Sequence, residues 1–297
     1  MSQARPARLM DGTSLARRIV EDTAKKAADL IDRTGTTPCL ATVLVGADPA
    51  SVTYVRMKQN RCRKAGIESR HVELPAATTT GELVAALRAL SDDSGVHGIL
   101  LQHPMGEHID ERAAFEAIAP EKDVDGVTFA SFATMSFGLP GFVSCTPGGI
   151  MRLLDEYEVD PSGRRAVVVG RSAILGKPVG MLLLGRDATV TYCHSRTADL
   201  PSAVREADIV VAAVGRPRLI RGEDIKPGAV VIDAGYNPGN IGDVDFDSAV
   251  ERAGLITPVP GGVGPMTIAT LLEQTVDAAA RQLGPGRRIR SGDSFGA

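Results

Sequence analysis

The stretch Ala166-Val-Val-Val-Gly170-Arg171-Ser172-Ala-Ile-Leu-Gly176-Lys177-Pro178 decides how this chain is read. A run of β-branched residues stops at a glycine, a cation and a hydroxyl follow, and a second glycine opens a helix. Continuous Val runs are the mark of buried parallel strands, and a helix N-terminus offers N–H groups and partial positive charge to an anion. The spacing is not the usual G-x-G-x-x-G, and many α/β proteins place a glycine there and bind nothing. The next strand, Ala188–Tyr192, runs into Cys193-His194-Ser195-Arg196-Thr197. An enzyme using NAD places an acid about 20 residues beyond the glycine turn to hold the ribose hydroxyls. Here Ser195 and Arg196 stand in its place, with Arg171 already at the turn. A carboxylate repels a 2′-phosphate, whereas a guanidinium matches it bidentately. The expected dinucleotide is therefore NADP.

Outward from this stretch, strand-like and helix-like segments alternate almost throughout, which predicts an α/β fold on parallel sheets. In the first half the pattern predicts a helix over 13–31, a strand over 38–45, a helix over 49–65 that stops at Gly66, and a strand over 67–74. A helix with a capping box, Thr79-x-x-Glu82, a strand over 96–101 and a helix near 110–118 follow. Thr146-Pro147 reads as an N-cap followed by proline at the first helical position. The second half restarts with strands over 166–169, 188–192, 209–213 and 230–233 and helices over 178–184 and 200–206. A last amphipathic helix covers about 266–280. Two α/β lobes meeting near residue 147 are expected, with the cleft between them as the ligand site. The assigned bounds are a catalytic domain over 1–146, on which helix 266–283 packs back, a Rossmann-like NADP domain over 147–265, and a disordered tail over 284–297.

Composition narrows the class. The chain has 297 residues, 43% apolar and 23% charged, and a formal net charge of −3. That balance argues against nucleic acid as a partner, because phosphate binding on that scale needs a clustered basic surface. The four cysteines (Cys39, Cys62, Cys145, Cys193) are far apart, so neither a disulfide framework nor a metal knuckle is expected. No apolar run reaches membrane-spanning length, and the first ten residues lack the apolar core of a signal peptide. A cytoplasmic protein without membrane partners is expected. His71, His97 and His108 read as surface or core residues, not metal ligands.

Three polar strand ends in the first lobe are candidates for chemistry: Gly46-Ala-Asp48, Gln102-His103 and Asp123-Val-Asp125-Gly126. Tyr54 and Lys58 are four residues apart and share a helix face, so one can stack on a flat ligand that the other reaches with its amine. The plainer readings are also open: a solvated lysine beside a packing tyrosine, an Asp-Gly turn, and a glutamine at a sheet edge. Pro260-Gly261-Gly262-Val-Gly264 has too many glycines for a strand or helix and suits close backbone approach to a ligand. A plain connector is the other possibility there.

Together the pieces resemble the bifunctional methylenetetrahydrofolate dehydrogenase/methenyltetrahydrofolate cyclohydrolase family. The match runs from Leu9-Met-Asp-Gly12 to the final helix. It rests on Tyr54-Val-x-x-Lys58, Lys122-Asp-Val-Asp-Gly126, Cys145-Thr-Pro147, Gly170-Arg-Ser, Cys193-His-Ser195, Gly242-Asp-Val-Asp-Phe246 and Pro258-Val-Pro-Gly-Gly-Val-Gly-Pro-Met-Thr267. The resemblance implies NADP-dependent oxidation of methylenetetrahydrofolate to methenyltetrahydrofolate, and its hydrolysis to formyltetrahydrofolate. It implies Lys58 as general acid/base, Tyr54 stacking on the folate, Gln102 holding both lysine and ligand, and Asp125 on the pterin. It further implies that Pro260, Gly261 and Gly262 approach the substrate and that Gly170, Arg171, Ser172, Ser195, Arg196 and Tyr236 bind NADP; Tyr236 stands where the family usually has isoleucine. No metal is implied, and a homodimer through the second lobe is. Two segments depart from the family pattern: His103-Pro-Met-Gly106 replaces Leu-Pro-Leu-Pro, and Val127–Ala133 replaces a stretch with His and Asn-x-Gly. Both bear on the folate side. A dehydrogenase-only paralogue and a non-catalytic NADP- or folate-binding protein are the alternatives.

Overall fold

The computed structural model describes residues 6–46 and 60–284. They fall into two compact units, one of Asp125–Leu271 with the chain up to Ile19, the other of Val20–Val124 with the chain from Leu272 onward. The predicted helix over 49–65 lies mostly outside the described residues; 60–64 are helical. Residues 285–297 of the tail also lie outside them.

The smaller unit carries a three-stranded parallel sheet in the order β3-β2-β4, from β2 (Cys39–Val45), β3 (Glu68–Leu74) and β4 (Gly98–Leu101). Every residue of the central β2, Cys-Leu-Ala-Thr-Val-Leu-Val, is buried, as expected of a strand covered on both faces. The edge strand β3, Glu-Ser-Arg-His-Val-Glu-Leu, is partly exposed. Helix Thr80–Asp92 opens on the predicted capping box, with Thr79 and Glu82 satisfying each other's backbone N–H. Its far end is closed by buried Lys122, whose ammonium donates to the carbonyls of Leu90 and Asp93. The last helix, Val263–Leu283, is tied to this unit by Gln274, which donates to Val124 O at 2.8 Å, and by Gln282, which donates to His97 O.

The larger unit holds six parallel strands in the order β1-β9-β8-β7-β5-β6. These are β1 (Arg8–Leu9), β5 (Arg165–Val169), β6 (Thr189–Cys193), β7 (Ile209–Ala212), β8 (Val230–Asp233) and β9 (Leu255–Ile256). Strands β7 and β8 are wholly buried and β5 is buried beyond Arg165, so their Val and Ile side chains form the core. From β5 the chain steps out to the edge at β6, then returns past β5 to β7. That reversal makes the carboxyl ends of β5 and β7 a topological switch point, where open α/β sheets bind ligands.

Several elements differ from the pattern reading. Helix 145–156 begins at Cys145 with Ser144 at the N-cap position, so Thr146-Pro147 is already helical. Ser144 spends its hydroxyl on Gly126 O instead of the helix. The helix expected near 110–118 covers only Glu111–Phe115, with Asp110 as its cap. The last helix starts at Val263 and takes in Gly264, which the glycine count had placed in a loop. Strands β1 and β9, two residues each, and helix Phe129–Ser136 were not anticipated. Among the described residues no helix is long and apolar enough to cross a membrane and no His/Cys/Asp/Glu cluster could hold a metal ion.

His97, 1% exposed, precedes β4 and accepts the Cys39 N–H on Nδ1 at 3.1 Å. The neutral ring must then carry its proton on Nε2, which is buried without a partner among the described residues. Burial, reinforced by the Lys122 charge, holds its pKa below the ordinary 6.5. The unfolded chain therefore takes up a proton first on acidification, and stability is lost as pH falls through 6.5 towards the folded-state value. His97→Asn keeps an acceptor for Cys39 but cannot be protonated. Urea melts at pH 7 and pH 5 should show a smaller acid-induced loss in that variant than in the parent.

Candidate active site

Parallel pairing delivers the carboxyl end of every strand in the larger sheet to one edge. Gly170 follows β5 with a φ of 134°, and its N–H donates to Cys193 O at the end of β6. A Cβ there would lie 2.2 Å from Ala213 O, so only glycine lets the three strand ends meet. Two further glycines set the following helix, Gly176–Leu184. A Cβ on Gly176 would meet Gly170 O at 2.5 Å, and one on Gly180 would meet the Tyr192 hydroxyl at 2.2 Å. The helix is thus pressed onto β5 and β6 along its length.

The sequence reading left the N–H groups at the start of this helix open to an anion. The structure directs those of Leu175 and Gly176 to Ser172 Oγ, at 3.2 and 3.3 Å, and that of Lys177 to Ser172 O. Ser172 thereby shapes the turn, and the charge at this edge is carried by side chains. Arg171 is exposed beside Gly170. Ser195 and Arg196 form the tip of a tight turn after β6, closed by Thr197, whose hydroxyl accepts the His194 N–H and whose N–H donates to His194 O. Arg196 N–H donates to His194 Nδ1 at 3.1 Å. Among the described residues neither Arg171 nor Arg196 is held in an ion pair. Two guanidiniums and a hydroxyl, with no carboxylate from Cys193 to Thr197, fit an extra ribose phosphate. An open depression of about 340 Å³ adjoins Arg171, lined also by Phe132, Lys177, Met181, Tyr192 and His194.

Tyr236 follows β8 at the same edge, 71% exposed, its hydroxyl donating to Asn240 Oδ1. Pro260, Gly261 and Gly262 follow β9. Gly261 has a φ of 108°, and its carbonyl accepts from Thr13 N at 3.0 Å. A Cβ on Gly12 would fall 1.9 Å from Gly262 O, so this loop is braced by the first turn of helix Gly12–Thr34. Asp125 is fixed in the larger unit by Gly126, with a φ of 67° and no room for a Cβ, which would lie 2.5 Å from Ser144 N. Cys145 N–H donates to Asp125 O, which seats the half-buried Asp125 beside the start of helix Cys145–Glu156.

In the smaller unit Gln102 prolongs β4, its N–H donating to Val43 O and its side-chain amide to His103 O. His103 sets its ring edge-on to Phe115 at 6.3 Å. Tyr54 and Lys58, together with Ala47 and Asp48, lie outside the described residues.

Pattern reading missed a pair of buried acids at the sheet edge. Asp233, the last residue of β8, accepts from the N–H groups of Gly235, Asp243 and Val244, and Asp243 lies beside it. Burial pushes the Asp233 carboxyl up to about 6, against the pull of those three N–H bonds. The available signal was the glycine in Asp233-Ala-Gly235 and in Gly242-Asp243. A Cβ at either glycine would meet the facing carboxylate at about 2 Å.

The model of the tetrahydrofolate dehydrogenase/cyclohydrolase catalytic domain matches residues 10–125, and that of the family's NAD(P)-binding domain matches 144–283. Bifunctional protein FolD 1 of Streptomyces avermitilis is 79% identical over 96% of this chain and 99% of its own length. The crystal structure of the bifunctional FolD dehydrogenase/cyclohydrolase from Campylobacter jejuni shares 44% identity, with a TM-score of 0.89, covering 92% of this chain and 98% of that one. The Trypanosoma brucei dehydrogenase-cyclohydrolase, solved with NADP cofactor and an inhibitor, shares 40% identity at a TM-score of 0.89, over 93% of this chain and 98% of that one.

Replacing Arg171 and Arg196 together by alanine removes both guanidiniums from these strand ends. KM for NADP+ should rise about 10- to 100-fold while that for NAD+ changes little. Steady-state kinetics with both dinucleotides check this.

Proposed function

This chain belongs to the tetrahydrofolate dehydrogenase/cyclohydrolase family, and on that premise we propose how its residues share the reaction. It oxidises methylenetetrahydrofolate to methenyltetrahydrofolate with NADP+ and hydrolyses the product to formyltetrahydrofolate. The folate-binding catalytic part is assigned to residues 1–146 with helix 266–283, although the chain up to Ile19 and from Asp125 clusters with the larger unit; the bonds from Gln274 and Gln282 to Val124 and His97 support placing the end of the last helix with it. Residues 147–265 form the Rossmann-like part that takes the dinucleotide.

Bound NADP+ supplies the hydride acceptor. Gly170, Arg171, Ser172, Ser195, Arg196 and Tyr236 hold it, with the guanidiniums on the 2′-phosphate. The observation that carries this half is the exposed Arg171 and Arg196 at adjoining strand ends with no acid between them. On the folate side Lys58 is the general acid/base. A cationic methenyl bridge disfavours a second positive charge, which lowers the lysine pKa towards the working pH and lets the amine accept a proton from the attacking water. Gln102 orients that amine without adding charge. Asp125 accepts from adjacent pterin N–H groups as an ionised carboxylate does. Tyr54 stacks on the pterin, and the Pro260–Gly262 backbone closes on the substrate.

The protein works as a cytoplasmic homodimer joined through the larger unit. Edge strand β6 exposes Thr189, Thr191 and Tyr192 beside the half-exposed Leu184 and the depression lined by Phe132 and Met181, and an open edge of this kind invites pairing. The four cysteines are free and buried, in keeping with a reducing compartment.

With purified protein, methylenetetrahydrofolate and NADP+, methenyl absorbance should rise and then decay. Accumulation without decay would mean oxidation alone, and no signal would rule out the assigned substrate pair. Lys58→Ala should slow hydrolysis of added methenyltetrahydrofolate by about 10²–10⁴-fold with NADP+ binding retained; unchanged hydrolysis removes Lys58 from its role. Thr191→Lys should convert the dimer to monomer in sedimentation velocity, since an edge lysine blocks strand-to-strand pairing.

A further inference from the structure

The loop after β7 has a polarity that its sequence does not announce. The N–H groups of Val214, Gly215 and Arg216 all point at one carboxylate, that of Asp243. Its Oδ2 accepts from Val214 and Gly215 at 2.7 and 2.9 Å, and its Oδ1 from Arg216 at 2.8 Å and from the Asn237 amide at 3.1 Å. Asp243 is fully buried. Successive N–H groups converging in this way make an anion nest; here a side chain of the protein fills it.

Each peptide plane holds its C=O opposite to its N–H. With the three N–H groups turned inward to Asp243, the carbonyls of residues 213–215 turn away from it. The close approach at Gly170 agrees, since the atom that would meet a Cβ there is Ala213 O. The β7 end of the switch point therefore offers acceptors, while the adjacent β5–β6 end offers guanidiniums. A phosphate suits the second and is repelled by the first.

We propose that Asp243 is a positioning residue for the dehydrogenase reaction: it fixes the 213–216 loop with its carbonyls outward, so that the loop receives hydrogen-bond donors from the nicotinamide half of the dinucleotide. This rests on the reading that the dinucleotide lies over the ends of β5, β6 and β7 with its 2′-phosphate on Arg171 and Arg196. The donors are the carboxamide NH2 or the hydroxyls of the nicotinamide ribose.

Asp243→Asn tests this. An amide accepts on one atom only, so its NH2 faces N–H groups and part of the nest is released. KM for NADP+ should rise about tenfold or more, with KM for methylenetetrahydrofolate unmoved. The ratio of methenyltetrahydrofolate hydrolysis, which uses no dinucleotide, to oxidation at low NADP+ should rise to match. Adenosine 2′,5′-bisphosphate, which has the phosphates but no nicotinamide half, should bind both proteins equally in titration calorimetry. A purely structural role would weaken both ligands and both activities together, and that result, or an unchanged KM for NADP+, overturns the proposal. If the bisphosphate fails to bind the parent protein, the site reading itself falls. With the 3-acetylpyridine analogue of NADP+, the penalty of the variant disappears if the carboxamide is the donor and persists if the ribose hydroxyls are. Should Asp243→Asn not fold, Asn237→Ala removes one donor to the same carboxylate and should raise KM for NADP+ by a smaller factor of about three; no rise there counts equally against the proposal.

Discussion

Backbone contact between Gly170 and the ends of two neighbouring strands is the constraint on which the larger unit depends. Gly170 donates to Cys193 O on one side and leaves only hydrogen-sized space before Ala213 O on the other. A side chain here would push β5 away from β7 at the point where the chain reverses direction across the sheet. Because all six strands run parallel, that close-packed edge also receives Arg171, Ser195, Tyr236 and the 260–262 loop. One glycine therefore decides where the charge and the exposed groups of five strand ends assemble.

Burying acids without cations is unusual, and among the described residues this edge does it twice. Asp233 and Asp243 between them take the N–H groups of six residues and the amide of Asn237. The three N–H bonds to Asp233, each worth about 1.5–3 kcal/mol to a charged acceptor, oppose the desolvation that raises its pKa. The result is a set of loops whose peptide planes are fixed before any ligand arrives. Pre-organised dipoles of this kind spare the reorganisation that flexible loops must undergo on binding.

The smaller unit solves a different problem, which is to hold few strands firmly. Two strands flanking a wholly buried β2 leave the sheet ends to be closed by single polar side chains. His97 takes Cys39 N–H, Lys122 closes a helix end, and Gln274 and Gln282 anchor the last helix. The frame that presents Gln102 thus rests on a handful of buried polar contacts in addition to its apolar core.

Local pattern was enough for much of this. The Val-rich run before Gly170, the capping box at Thr79 and the absence of an acid after Cys193 each report short-range physics: a buried parallel strand, a reciprocal cap, and repulsion between like charges. These identified the fold class and the phosphorylated dinucleotide. Strands of two residues have no periodicity to detect, and a hydroxyl such as that of Ser144 chooses between capping its own helix and a carbonyl 18 residues away only once the chain is packed. Which way a loop turns its N–H groups is likewise settled by whatever acceptor tertiary structure brings near. For the 213–216 loop that acceptor is Asp243, 27 to 29 residues further along, and no window of sequence contains both. Sequence thus determined which groups this protein has for its chemistry, and tertiary structure decided the direction in which its backbone presents them, because a peptide dipole is oriented by contacts that are remote along the chain.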